Sequence, residues 1–77
     1  MKELLVAIAS GLVEKPEEVT ATADEPNDEG VTVLHLHVAE SDMGRVIGKQ
    51  GRIAKAIRTV MRAAAGRTDE KIAVEID

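Results

Sequence analysis

The chain has no cysteine, and Phe, Tyr and Trp are all missing from its 77 positions. Without cysteine there is no disulfide, no thiolate metal site and no cysteine nucleophile, and an unstapled small domain points to the reducing cytoplasm. Without aromatic rings, modules that stack bases on them, such as the RRM sheet and most OB grooves, lose their central device. Long apolar runs are absent too. The early run Leu4 to Ala9 is broken by Ser10 and Gly11, too short for a membrane span or a signal peptide, so no membrane partner is expected.

What is present describes a small folding unit. Hydrophobic residues make up 44% and charged residues 31%, ordinary for a globular fold and too apolar for a disordered tail. This length accommodates one compact domain over residues 1–77 and excludes a large enzyme. The formal net charge of −4 conceals an asymmetry. Between Gly44 and Arg67 stand Arg45, Lys49, Arg52, Lys55, Arg58, Arg62 and Arg67, with no acid among them; all fourteen acids lie outside that window, beside only three basic residues. A segregated basic stretch on an acidic domain is the footprint of a phosphate-binding face, although a solvated basic helix side would look the same.

The patterning predicts six elements. A first helix over Lys2 to Glu14 carries Leu5, Ile8, Ala9 and Leu12 on one stripe, with Pro16 blocking extension. Val19 to Ala23 reads as a short strand, and the acidic loop Asp24 to Gly30 joins it in a hairpin to a second strand, Val31 to Ala39. There Leu34, Leu36 and Val38 point one way and Val33, His35 and His37 the other. Ser41 or Asp42 is expected to cap a short helix, Met43 to Ile47, ended by Gly48. A longer helix follows Gly51, with Ile53, Ile57, Val60, Met61 and Ala64 on one face, and Gly66 is expected to stop it. Lys71 to Asp77 alternates as a last strand, with Ile72, Val74 and Ile76 inward. The economical packing of this α-β-β-α-α-β order is an α+β fold with three helices on one face of a three-stranded sheet.

Few residues suggest chemistry. The run Gly44 to Gln50 fails as a P-loop, because three residues rather than four separate its glycines and Gln50 stands where Ser or Thr would hold magnesium. His35 and His37 share a strand face, but two ligands do not make a metal site. The acids have no nucleophile or base partner at a catalytic spacing, so neither enzymatic activity nor a cofactor is expected. The tetrapeptide Gly48-Lys49-Gln50-Gly51 is more telling. Glycines let the chain turn tightly and let another backbone approach. The following helix start supplies amides and a positive dipole end, and Lys49 adds a cation. These features suit a sugar-phosphate backbone, although a lone GxxG is also an ordinary helix-helix turn.

The run Arg45-Val46-Ile47-Gly48-Lys49-Gln50-Gly51-Arg52, set between a strand and a helix-strand pair, resembles the KH-domain signature, whose GxxG loop clamps the backbone of about four nucleotides. The element order is similar to the type II, bacterial-style KH arrangement, which implies a mixed sheet. With the Glu17-Glu18-Val19 entry to the first strand and the run from Gly48 to Arg58, the whole chain resembles the small single-KH bacterial proteins of the KhpA family. Many KH domains carry an isoleucine where this chain has Ala54, with Ile53 one position earlier.

The resemblance implies a non-enzymatic, cytoplasmic protein that grips single-stranded RNA. Gly48, Lys49, Gln50 and Gly51 would form the clamp, Arg52 and Lys55 would make flanking phosphate contacts, and Arg45, Val46, Ile47 and Ala54 would be groove candidates. It further implies an RNA chaperone or post-transcriptional regulator that affects cell shape and envelope homeostasis beside a Jag/KhpB-type KH-containing protein, with homodimerisation as a source of avidity. The residues alone leave two rivals: a helix-turn-helix reading duplex DNA with its basic second helix, and a protein-protein interaction module.

Overall fold

The computed structural model describes residues 1–76, with Lys49 described by its backbone alone. In chain order come α1 (Lys2–Ser10), a 3-10 turn (Pro16–Glu18), β1 (Thr20–Ala23), β2 (Thr32–His37), α2 (Glu40–Arg67) and β3 (Ile72–Ile76). The strands lie in the order β1-β2-β3. β1 runs antiparallel to β2, with Ala21 opposite Leu36, and β2 runs parallel to β3, with Leu34 opposite Val74. The sheet is therefore mixed, as the KH resemblance implied.

Alternation settles which face is covered. Leu34, Leu36 and Val74 are buried beneath the helices, together with Leu5 and Ala9 of α1 and Val46, Ala54, Ile57 and Met61 of α2. By register, Thr20, Thr22, His35, His37 and Glu75 lie on the opposite, uncovered face. There His35 Nε2 lies 2.8 Å from Asp24 Oδ2, and its Nδ1 lies 3.7 Å from Glu75 Oε2. Among the described residues there is no cluster of three or more His, Cys, Asp or Glu that could hold a metal ion. No helix of the described chain is long and apolar enough to cross a membrane.

α2 is two helical arms rather than one rod. A straight helix of its 28 residues would measure about 42 Å, whereas the molecule's longest axis is 34 Å. The break falls at Gln50 and Gly51, whose φ angles of 64° and 68° are left-handed. The α-β-β-α-α-β order thus holds, with the two arms as its second and third helices.

Several boundaries differ from the sequence reading for physical reasons. α1 stops at Ser10 instead of Glu14. Both oxygens of the Asp42 carboxylate accept hydrogen bonds from the backbone amides of Glu14 and Lys15, each at 3.1 Å, so those amides leave the helical path. Asp42 is only 2% exposed and does not cap α2, whose N-cap is Ala39. Gly48 does not end the first arm, which runs on to the break at Gln50 and Gly51. On the second arm the buried stripe is Ala54, Ile57, Met61 and Ala65, and Val60 is 47% exposed. Gly66 stays helical, and the left-handed turn after α2 is made by Asp69, φ 56°. Asp, with its short polar side chain, tolerates that region better than most residues. The strand expected to reach Asp77 ends at Ile76, and Asp77 lies outside the described residues.

Candidate nucleic-acid interface

The left-handed pair at Gln50 and Gly51 positions this region. It swings the second arm away from the first, so the basic residues of positions 44–67 are divided between two sides of a bend instead of lying along one rod. One side opens on a cleft of about 400 Å³ lined by Ile47, Gln50, Gly51, Ala54, Lys55, Arg58 and Ile76. Its floor is aliphatic and its helical wall is basic. Ile47 is 53% exposed, so its aliphatic side chain is available at the cleft. Gly51 adds no side chain, and a Cβ built there would meet nothing within 4 Å, so the backbone at the bend stands open to an approaching chain.

The other side of the bend carries a second cleft of about 470 Å³, lined by Arg45, Gly48, Arg52 and Ile53. Arg45 donates to Glu14 Oε1 at 2.6 Å, which ties its guanidinium back towards the connection after α1. Both partners are largely solvated, so the pair contributes little to stability, but it sets where Arg45 reaches.

The ten residues singled out from the sequence are therefore not one constellation. Ile47, Gln50, Gly51, Ala54 and Lys55 line the first cleft, whereas Arg45, Gly48 and Arg52 line the second. Val46 is fully buried in the core and offers no side-chain surface to either. The side chain of Lys49 lies outside what the structure describes.

Two lining residues of the first cleft went unnamed as site residues. Arg58 belongs to the basic window, three positions beyond Lys55 and hence on the same helical face, so its spacing could have nominated it. The alternation makes Ile76 an inward strand residue, and only the tertiary placement of β3 beside the second arm brings it to the cleft. Arg58 also donates through Nε to the Val74 carbonyl at 3.3 Å, linking the helix to the outer edge of the sheet.

The arrangement pairs an open backbone bend with an aliphatic floor and guanidinium and ammonium groups on one wall. Such a site can take a phosphodiester backbone at the bend and flat apolar groups beside it.

Known proteins place this geometry. A family model described as KhpA/KhpB, KH domain, matches residues 2–76. The RNA-binding protein KhpA of Clostridium perfringens is 55% identical over 76 residues, covering 99% of each chain. That of Listeria monocytogenes is 51% identical over 76 residues, covering 99% of this chain and 97% of its own. That of Treponema pallidum is 47% identical over 75 residues, covering 97% and 91%. Among solved structures, Era in complex with MgGDPNP and nucleotides 1506–1542 of 16S ribosomal RNA superposes with a TM-score of 0.60 at 20% identity. This chain spans 28% of that one while 97% of it is covered, which establishes a shared fold. The left-handed bend between two helical arms, the mixed sheet and the sequence match across residues 2–76 agree: the chain belongs to the KhpA/KhpB family of KH domains, and its relatives named KhpA are RNA-binding proteins.

Proposed function

We propose that residues 1–77 act as one KH domain that holds single-stranded RNA, with the sugar-phosphate backbone at Gly48-Lys49-Gln50-Gly51 and bases against Ile47, Ala54 and Ile76. The observation that carries the reading is the bend itself. Two successive left-handed residues expose the backbone at the head of a cleft whose basic wall is Lys55 and Arg58. Arg52 and Arg45, on the other side of the bend, serve as outlying phosphate contacts. The aliphatic floor makes aromatic rings unnecessary, which removes the strongest objection raised by composition. The KhpA name borne by the relatives supports RNA as the ligand.

Finer roles follow the same resemblance. The protein works in the cytoplasm as an RNA chaperone or post-transcriptional regulator affecting cell shape and envelope homeostasis. It acts as a homodimer or beside a Jag/KhpB-type KH-containing partner, either of which supplies the avidity that one small clamp lacks.

The decisive test is the double substitution Lys49→Asp/Gln50→Asp. Asp is among the residues that accept a left-handed backbone, so the bend at position 50 survives the change. Two carboxylates then stand where a phosphate must sit. The expected result is a near-native circular dichroism spectrum with affinity for single-stranded RNA reduced at least about tenfold, or roughly 1.4 kcal/mol. Undiminished binding by the folded variant would remove the bend from the binding site.

A further inference from the structure

The two arginines of the second cleft are held differently. That cleft is lined by Arg45, Gly48, Arg52 and Ile53, with no acid among them. Gly48 lies three positions beyond Arg45, one turn along the same helical face, so a phosphate seated at the first loop glycine is within reach of the Arg45 guanidinium. A Cβ built at Gly48 would meet nothing within 4 Å, which leaves the backbone there open to such a group. Arg52 has no carboxylate partner among the described residues, whereas Arg45 Nη1 donates to Glu14 Oε1 at 2.6 Å. The Glu14 carboxylate reaches in from the connection after α1, and that connection is anchored. Asp42, 2% exposed, accepts hydrogen bonds from the backbone amides of Glu14 and Lys15 at 3.1 Å each. A buried carboxylate thus fixes the stretch of backbone from which an exposed one reaches Arg45.

We propose that Glu14 sets the affinity of the RNA site as a competing anion: its carboxylate holds the Arg45 guanidinium in the free protein, and a backbone phosphate must displace it when RNA binds at the GxxG bend. The proposal rests on the RNA reading given above and names a control on that same site. Two anions compete for one cation, and the donor that Glu14 occupies is withdrawn from the phosphate. The contest is winnable, because the side chains of Arg45 and Glu14 are 50% and 76% exposed and a solvated ion pair is weak. Glu14 therefore lowers affinity without closing the site. The anchoring by Asp42 keeps the carboxylate at hand, so it recaptures Arg45 when the RNA leaves.

The test measures binding of a random-sequence octanucleotide RNA pool, at low salt, to four proteins: the parent, Glu14→Gln, Arg45→Ala and the double variant. Both positions are exposed at the side chain, so circular dichroism and melting temperature should match the parent throughout. The expected result is a roughly two- to fivefold tighter complex for Glu14→Gln than for the parent, the range that breaking one solvated ion pair provides. In the Arg45→Ala background the same change should have no effect, because the cation that Glu14 holds is gone. Equal tightening in both backgrounds would mean that Glu14 acts only as one negative charge on the surface, and overturns the proposal. Unchanged or weaker binding by Glu14→Gln overturns it too, the latter by showing that the carboxylate aims Arg45 at the RNA. A parent protein that does not bind the pool overturns the RNA reading, and the competition with it.

Discussion

The bend in α2 is testable without RNA, through two neighbouring substitutions expected to act in opposite directions. Gly51 has φ 68°, and a Cβ added there would meet no atom within 4 Å. Crowding is thus removed from the reckoning, and the cost of Gly51→Ala is that of placing an L-residue in the left-handed region, about 1–2 kcal/mol. Alanine recovers about 0.4–1 kcal/mol by restricting the unfolded chain. The net is a destabilisation of about 1 kcal/mol, or roughly 4–8 °C in Tm for a domain of this size. Gln50 already bears the left-handed cost, with φ 64°. Gln50→Gly removes that cost and adds the unfolded-state entropy of glycine, for a net gain of about 0.5 kcal/mol. With no aromatic residue to report by fluorescence, urea unfolding followed by far-UV circular dichroism is the suitable assay. If Gly51→Ala matched the parent, or if Gln50→Gly lost as much as Gly51→Ala, the two left-handed residues would not be where the helix turns.

Asp42→Ala should destabilise by about 2–4 kcal/mol in the same assay, because it strands the amides of Glu14 and Lys15 that the buried carboxylate now satisfies; a loss below about 1 kcal/mol would mean water replaces it freely. Glu14→Gln, by contrast, should change stability by less than about 0.5 kcal/mol, since its ion pair with Arg45 is solvated. RNA affinity should fall with salt although the net charge is −4, with a slope of roughly −1.4 to −2.8 if two to four cations meet phosphates; a flat response refutes that mode. Unstructured RNA should outcompete duplex DNA in a common buffer, and the reverse order would favour a helix-turn-helix use of the basic arm.

Element order and strand faces were legible because they rest on period-2 alternation. Leu34 and Leu36 are buried as read, and β3 carries Ile72, Val74 and Ile76 on the helix side. What escaped the sequence were choices made by tertiary partners. α1 ends early because a carboxylate 27 and 28 residues away takes its would-be amides. The stripe of the second arm is rotated so that Ala54 and Ala65 are buried while Val60 is exposed; small side chains allow the close approach, which hydrophobicity alone does not rank. The GxxG tetrapeptide was visible as a turn, yet only one of its glycines is left-handed. Gln50 carries the other left-handed φ, although glutamine has no intrinsic preference for that region.

The division of charge lets a chain of net charge −4 present a cleft with a basic wall. No acid lines that cleft: Asp24 and Glu75 flank His35, on the sheet face turned from the helices, and Asp42 is buried beneath the connection after α1. The second arm carries its cations on one helical face, since Lys55, Arg58 and Arg62 recur at spacings of three and four. With a screening length of about 8–10 Å, the nearest charges, and not the total of −4, set the field at the cleft. Arg58 has a second task in this scheme. β3 is an open edge, which would otherwise invite pairing with another strand, and the guanidinium bond to the Val74 carbonyl occupies one acceptor of that edge. The same residue thus engages the strand edge while adding its charge to the basic wall of the cleft.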